Sequence, residues 1–220
     1  VFVVFMLLSQ LVSNPLNVLL TIGVFLFVLS VHEASHALAA LWLGDRTAQR
    51  ERRLTLNPLA HIDITGFLML ITVGFGWGKP VPFNPYQLRS QRFGPMLVAA
   101  AGPASNFLLS LLATFLLALI GPSLGTQNVL TMALVLIALM SMILGIFNLI
   151  PIPPLDGSKA LLALLAHPRH AKTRALLEER GPYLLLGLVV LNIVLNVNVF
   201  SWIETAARWG VYRLLVLFGA

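Results

Sequence analysis

The sequence predicts an all-α polytopic membrane protein: one membrane-embedded domain over residues 1–220, built as a bundle of about four to six transmembrane helices. Three observations carry this expectation. Hydrophobic residues make up 58% of the chain and charged residues only 10%, whereas a soluble domain carries about a quarter charged residues. The apolar residues fall in unbroken runs long enough to cross about 30 Å of hydrocarbon at 1.5 Å per helical residue, without the alternation of a membrane barrel. Finally, the basic residues sit between these runs rather than inside them.

Taken in order, residues 1–12 are apolar but short and lack a charged leader region, so they read as a partial span rather than a signal peptide. Asn14-Pro15 then marks a helix start, with Pro suited to the first turn. The first full span runs over about 16–43 and stops at Gly44. Residues 44–63 (GDRTAQRERRLTLNPLAHID) form a polar connector. Residues 64–75 are apolar but short and glycine-rich, and the following KPVPFNPY carries three prolines that forbid a regular helix. This stretch is expected to be a re-entrant or β-hairpin-like segment.

Further core spans follow over about 94–120 and 129–150. The chain then breaks at PIPPLDG and resumes as a short helix to about 166, so the third core unit covers 129–166. A charged connector (HPRHAKTRALLEER) leads to an additional span over about 182–203. The stretch 205–220, with Arg208 and Arg213, is expected to lie along the interface or pack on the bundle.

Lys and Arg number seven in the connector 44–93, five in 151–181 and none in the turn 121–128. Two spans separate the rich connectors, so both fall on one side, expected to be the cytoplasmic side of a prokaryotic cell membrane. The same placement explains the net charge of +6 without nucleic acid. Cysteine is absent, which excludes disulfides, thiolate nucleophiles and Cys-type metal sites.

The chemistry concentrates in VLSVHEASHALAAL. Positions 32 and 36 lie one above the other on a helix, so His32 and His36 can grip one ion. Glu33 projects about 100° away, near enough to reach a water on that ion without ligating it. Ionisable groups at the centre of a membrane helix cost about 2.5–3.5 kcal/mol and usually mark a functional site. The alternative is a polar network that only holds helices together.

Catalytic zinc takes three protein ligands plus water. The best third ligand is Asp156, in a break where prolines and Gly157 unwind the backbone. Such backbone is tolerated at membrane depth only inside protein or along a watery cavity. The competing reading of Asp156 is an ordinary N-cap of the next helix. Asn148 ends the third span, and its amide could bind a substrate carbonyl or simply satisfy loose backbone. Asn106, in AGPASNF, is expected to be structural. His61 and Asp63 are expected to fix a loop or support other groups, and His167 and His170 to be solvated.

These motifs resemble the site-2 protease family of intramembrane zinc metalloproteases, especially its compact bacterial and archaeal members. HEASH, RLTLNPLAHID, GWGKPVPFNP, AGPASN and NLIPIPPLDG occur in the family's order over most of the chain. The first and last are the specific ones. The resemblance implies one Zn²⁺ held by His32, His36 and Asp156, water activation by Glu33, and a substrate-binding role for Asn148. It also implies a membrane-protein substrate such as a single-span helix in the bilayer. Residues 79–85 would offer that substrate an extended edge, limited by their prolines. Many relatives carry a PDZ or CBS domain, and no stretch of these 220 residues is long or polar enough to be one. The expected activity is regulated intramembrane proteolysis. The alternatives are a metal-ion transporter or sensor and a non-catalytic membrane scaffold.

Overall fold

The computed structural model describes residues 14–73, 76–195 and 199–219, so the partial span expected over 1–12 lies outside the described residues. Those that are described form helices in the order α1 (Pro15–Trp42), α2 (Thr47–Arg50), α3 (Ile64–Val73), α4 (Gly94–Leu124), α5 (Val129–Asn148), α6 (Gly157–Leu164), α7 (Ala171–Val194) and α8 (Ser201–Leu217). Among the described residues, α1, α4 and α5 are long and apolar enough to cross a membrane. They match three of the expected spans, with ends shifted by no more than four residues.

Local chemistry sets their ends. Pro15 occupies the first turn of α1, where a missing N–H costs nothing. Gly44 ends it at φ +106°, a left-handed conformation that glycine adopts freely. Asn128 caps α5 by accepting a hydrogen bond from Leu130 N–H. With lipid outside, helices gain little from burying large apolar groups against each other, and close backbone approach matters more. The interior accordingly uses small residues: Ala99, Gly102 and Ala113 on α4, and Ala138, Ser141 and Gly145 on α5, are buried. A Cβ on Gly145 would come within 2.9 Å of the Phe107 ring. Ser110 Oγ donates across to the Ala138 carbonyl at 2.8 Å. α1 packs against both α4 and α5, and α8 closes the bundle against the same pair. The buried residues of α8, Ile203, Ala207 and Val211, form one stripe, so of the two expected placements the chain adopts packing on the bundle.

Two regions differ from the sequence reading. The charged connector 171–181 is helical and continuous with the apolar residues after it, and the helix ends at Val194 instead of continuing to 203. AKTRALLEER is rich in strong helix formers, and Arg174 and Glu178 pair at 3.2 Å across one turn. Such a segment becomes helical without lipid, so hydropathy alone misplaces its start. Residues 64–73 form a ten-residue helix, while the proline-rich run beyond it is irregular up to a 3-10 turn at Pro85–Gln87, and among the described residues the antiparallel bridge Ile62 to Gly78 joins this stretch to the connector.

Candidate metal centre

Two adjacent turns of α1 bring His32 and His36 to one side, both buried, with Nε2 atoms 3.0 Å apart. The third corner comes from far along the chain. Asp156 Oδ2 lies 3.1 Å from His32 Nε2 and 3.2 Å from His36 Nε2. Among the described residues this is the one group of three His, Asp or Glu side chains placed to share an ion.

The break after α5 delivers the carboxylate. It folds back so tightly that a Cβ on Gly157 would collide with the Leu149 carbonyl, so the residue after Asp156 must be glycine. α6 then packs on α4. Asp156 stands at the N-cap position of α6 but makes no side-chain cap bond. Its carboxylate faces the imidazoles instead of the backbone N–H groups of the helix.

The far sides of the rings are held by α4. His36 Nδ1 is 2.8 Å from the Val98 carbonyl. A carbonyl only accepts, so the neutral ring carries its proton on Nδ1 and presents a bare lone pair at Nε2. His32 Nδ1 is 3.0 Å from the amide nitrogen of Asn106, a residue with no solvent exposure. Between these contacts α4 passes directly over the rings: a Cβ on Gly102 would lie 2.6 Å from His32 Cε1 and closer still to His36 Nε2.

These donors suit a divalent cation. A lone pair on His36 Nε2 faces a carboxylate oxygen, an arrangement that is repulsive without a positive charge between them. Asp156 Oδ2 is buried with no hydrogen-bond partner, although it lies within 3.2 Å of both rings. Donor atoms around tetrahedral zinc at 2.0–2.1 Å stand about 3.3 Å apart, a few tenths of an ångström beyond the observed edges. Two imidazoles and one carboxylate also leave a fourth position open, the pattern of a catalytic site.

Glu33 is buried beside His32 and His36 without joining the cluster. Its Oε2 accepts a hydrogen bond from Val81 N–H at 3.2 Å. The run 79–84 is thus a strap laid against Glu33, and it is clamped at both ends. Lys79 N–H donates to the His61 carbonyl at 2.8 Å, and Arg53 donates to the Lys79 carbonyl at 2.6 Å. At the other end Asn84 N–H donates to the buried Asp45 carboxylate at 2.6 Å, which also accepts from Thr47.

Of the other singled-out residues, His61 is fully buried with Nε2 2.9 Å from the Thr55 carbonyl, and Asp63 accepts from Gly66 N–H at the start of α3; both fix the loop, as expected. His167 and Arg169 are exposed and the half-buried His170 pairs with Arg169. Asn148 is half-buried, and one of its amide N–H groups donates to the Leu144 carbonyl at 3.0 Å. Sequence reasoning missed Gly102, the Val98 carbonyl and Val81 N–H. None has a chemistry-bearing side chain, and only the place of Gly102 within AGPASN offers a hint.

Comparison with known proteins agrees with this geometry. Residues 123–191 match the family described as Peptidase family M50. The Bacillus subtilis protein named "Putative zinc metalloprotease YwhC" is 35% identical over 168 residues, covering 72% of this chain and 75% of that protein. "Putative zinc metalloprotease Rip2" of Mycolicibacterium smegmatis is 27% identical over 217 residues, covering 92% and 79%. A Streptococcus pyogenes relative, "Putative zinc metalloprotease SPs1691", is 40% identical over 78 residues but only 18% of its own length is covered. No solved structure matches the chain. The chain belongs to peptidase family M50, the site-2 protease family of membrane zinc metalloproteases.

Proposed function

We propose that this chain hydrolyses peptide bonds of membrane-spanning substrates within or beside the bilayer, using one zinc ion held by His32, His36 and Asp156. The convergence of the two Nε2 atoms and Asp156 Oδ2 within 3.2 Å of one another carries the reading. Zinc, when bound, polarises a peptide carbonyl and lowers the pKa of a water it binds toward about 7.

The residues of the chain supply the rest. Glu33 is the general base: Val81 N–H fixes Oε2 and leaves Oε1 to take the water proton and deliver it to the leaving nitrogen. Val98 and Asn106 hold the far nitrogens of the two rings, which keeps both Nε2 atoms aimed at the ion. Asn148 spends one N–H on Leu144 and keeps the other N–H and its oxygen for the substrate. A substrate helix hides its carbonyls and must unwind to be cut. The strap is the surface on which it would do so, although Lys79, Val81 and Asn84 N–H are already engaged and two of its residues, Pro80 and Pro82, are prolines. Pairing would therefore rest on strap carbonyls and Phe83 N–H. The basic connectors would face the cytoplasm.

Purified protein and a single-span test substrate in proteoliposomes test this reading. Cleavage is expected, and it should be lost with a chelator, restored by zinc and abolished by Glu33→Gln. A parent protein that retains zinc but cuts no membrane substrate would refute the reading and return attention to ion passage or sensing.

A further inference from the structure

Asn106 has no part in ligation or proton transfer, yet it is fully buried and its terminal amide touches a proposed metal ligand from a helix 74 residues away in sequence. One turn earlier on α4, Gly102 clears the space over both rings. The amide oxygen of Asn106 is buried without a hydrogen-bond partner, while its nitrogen faces His32 Nδ1 at 3.0 Å. Amide nitrogen and oxygen are nearly the same size, and the choice between them follows from the network around them.

The metal decides that choice. With the amide nitrogen toward His32, Nδ1 must be the acceptor. The neutral ring then carries its proton on Nε2, aimed at His36 and Asp156, and cannot ligate. Turning the amide by a half rotation places the oxygen against Nδ1. It accepts the Nδ1 proton and frees the Nε2 lone pair for the ion. The rotation costs no packing, and in either orientation part of the buried amide lacks a partner, so His32 alone tips the balance. His36 obtains the same support from the Val98 carbonyl, which can only accept.

We infer that Asn106 is a positioning residue of the metal centre, whose side-chain oxygen accepts a hydrogen bond from His32 Nδ1 and locks His32 in its ligating tautomer. The inference rests on His32 being a zinc ligand, as proposed above.

Zinc affinity of the full chain in detergent, measured by competition with a chromophoric chelator, tests it independently of proteolysis. Four variants are compared with the parent: Asn106→Leu, Asn106→Asp, Asn106→Ala and His32→Ala. Leucine keeps the volume without an acceptor and should weaken zinc binding by about 10- to 100-fold. Aspartate can only accept and should hold the affinity within about threefold of the parent. A role confined to helix packing would give the opposite order, because leucine fills the space and a buried carboxylate disturbs it. Equal affinity in the parent and the leucine variant, or an aspartate variant as weak as the leucine one, overturns the inference. Should leucine or aspartate prevent folding, alanine carries the measurement, and parent-like affinity there overturns it. His32→Ala separates the two levels: if it binds zinc as the parent does, the ligand assignment itself is wrong.

Discussion

Helices α1 and α4 build the candidate metal centre together but in unlike ways. α1 contributes side chains four residues apart, His32 and His36, whose chemistry is visible in their identity. α4 contributes a missing Cβ at Gly102, a backbone carbonyl at Val98 and a neutral amide at Asn106. One helix carries the two imidazoles and the other backs them. The comparison teaches that a ligand set needs a wall as well as donors. The wall is made from groups whose value lies in where they stand.

The largest effect should come from α1. Glu33→Gln keeps the shape of the side chain but removes the base, so turnover of a membrane substrate should fall by about 10²- to 10⁴-fold while zinc content stays at that of the parent. Atomic absorption beside a cleavage assay checks both halves. Loss of zinc in this variant would make Glu33 a ligand and blur the division of labour.

Gly102→Ala probes the wall. Helix propensity alone favours alanine by about 1 kcal/mol, whereas a methyl group driven onto the imidazoles should cost about 1–3 kcal/mol through overpacking and displace the metal. The two arguments have opposite signs. A variant that melts higher than the parent and keeps its zinc would show that α4 stands farther from the rings than described.

A smaller effect is expected where the strap is anchored. Burial alone would push the Asp45 carboxyl up, but the Thr47 hydroxyl, Asn84 N–H and Thr47 N–H outweigh it and hold the group below its ordinary 3.8. Because the folded value is depressed, the anchor is at full strength above pH 3.8 and weakens as pH falls through the lower folded value. Amide exchange at Asn84 should therefore be flat with pH, after correction for intrinsic rates, from neutrality down to about pH 4. Asp45→Asn should speed that exchange at neutral pH by about tenfold, the loss of one charge-assisted hydrogen bond worth roughly 1.5 kcal/mol. Unchanged exchange would free the strap from Asp45.

The smallest effect belongs to the bundle itself. Ser110→Ala removes the hydrogen bond to the Ala138 carbonyl and should cost about 0.6 kcal/mol, read from the unfolding midpoint, with zinc content unchanged. A loss of zinc in this variant would extend the wall of the site further along α4 than Asn106.

The same contrast explains what could be read before folding. The HEASH spacing lies within one helix, where local geometry fixes which side chains meet, so the approach of His32 to His36 is legible. The three long apolar spans were legible because hydropathy acts over one segment at a time. Asp156 was half legible: its residue type and its proline-rich setting pointed to a ligand, but an N-cap fitted the same letters. The charged start of α7 was misplaced because helix propensity, not lipid, governs it. The contact of Asn106 with His32 is not legible, because nothing in its sequence neighbours reveals what faces it across the bundle.

By itself, the sequence determined that apolar helices would form in a bilayer and that one of them would carry two imidazoles and a carboxylate in register. Only the tertiary structure decided that Asp156 closes the triangle, that Val98 and Asn106 back the two rings, and that the strap leans on Glu33. The reason is physical. Helical register follows from bonds between near neighbours, but contacts between distant segments depend on how closely backbones approach, and at Gly102 and Gly157 that approach is set by the absence of a single carbon atom.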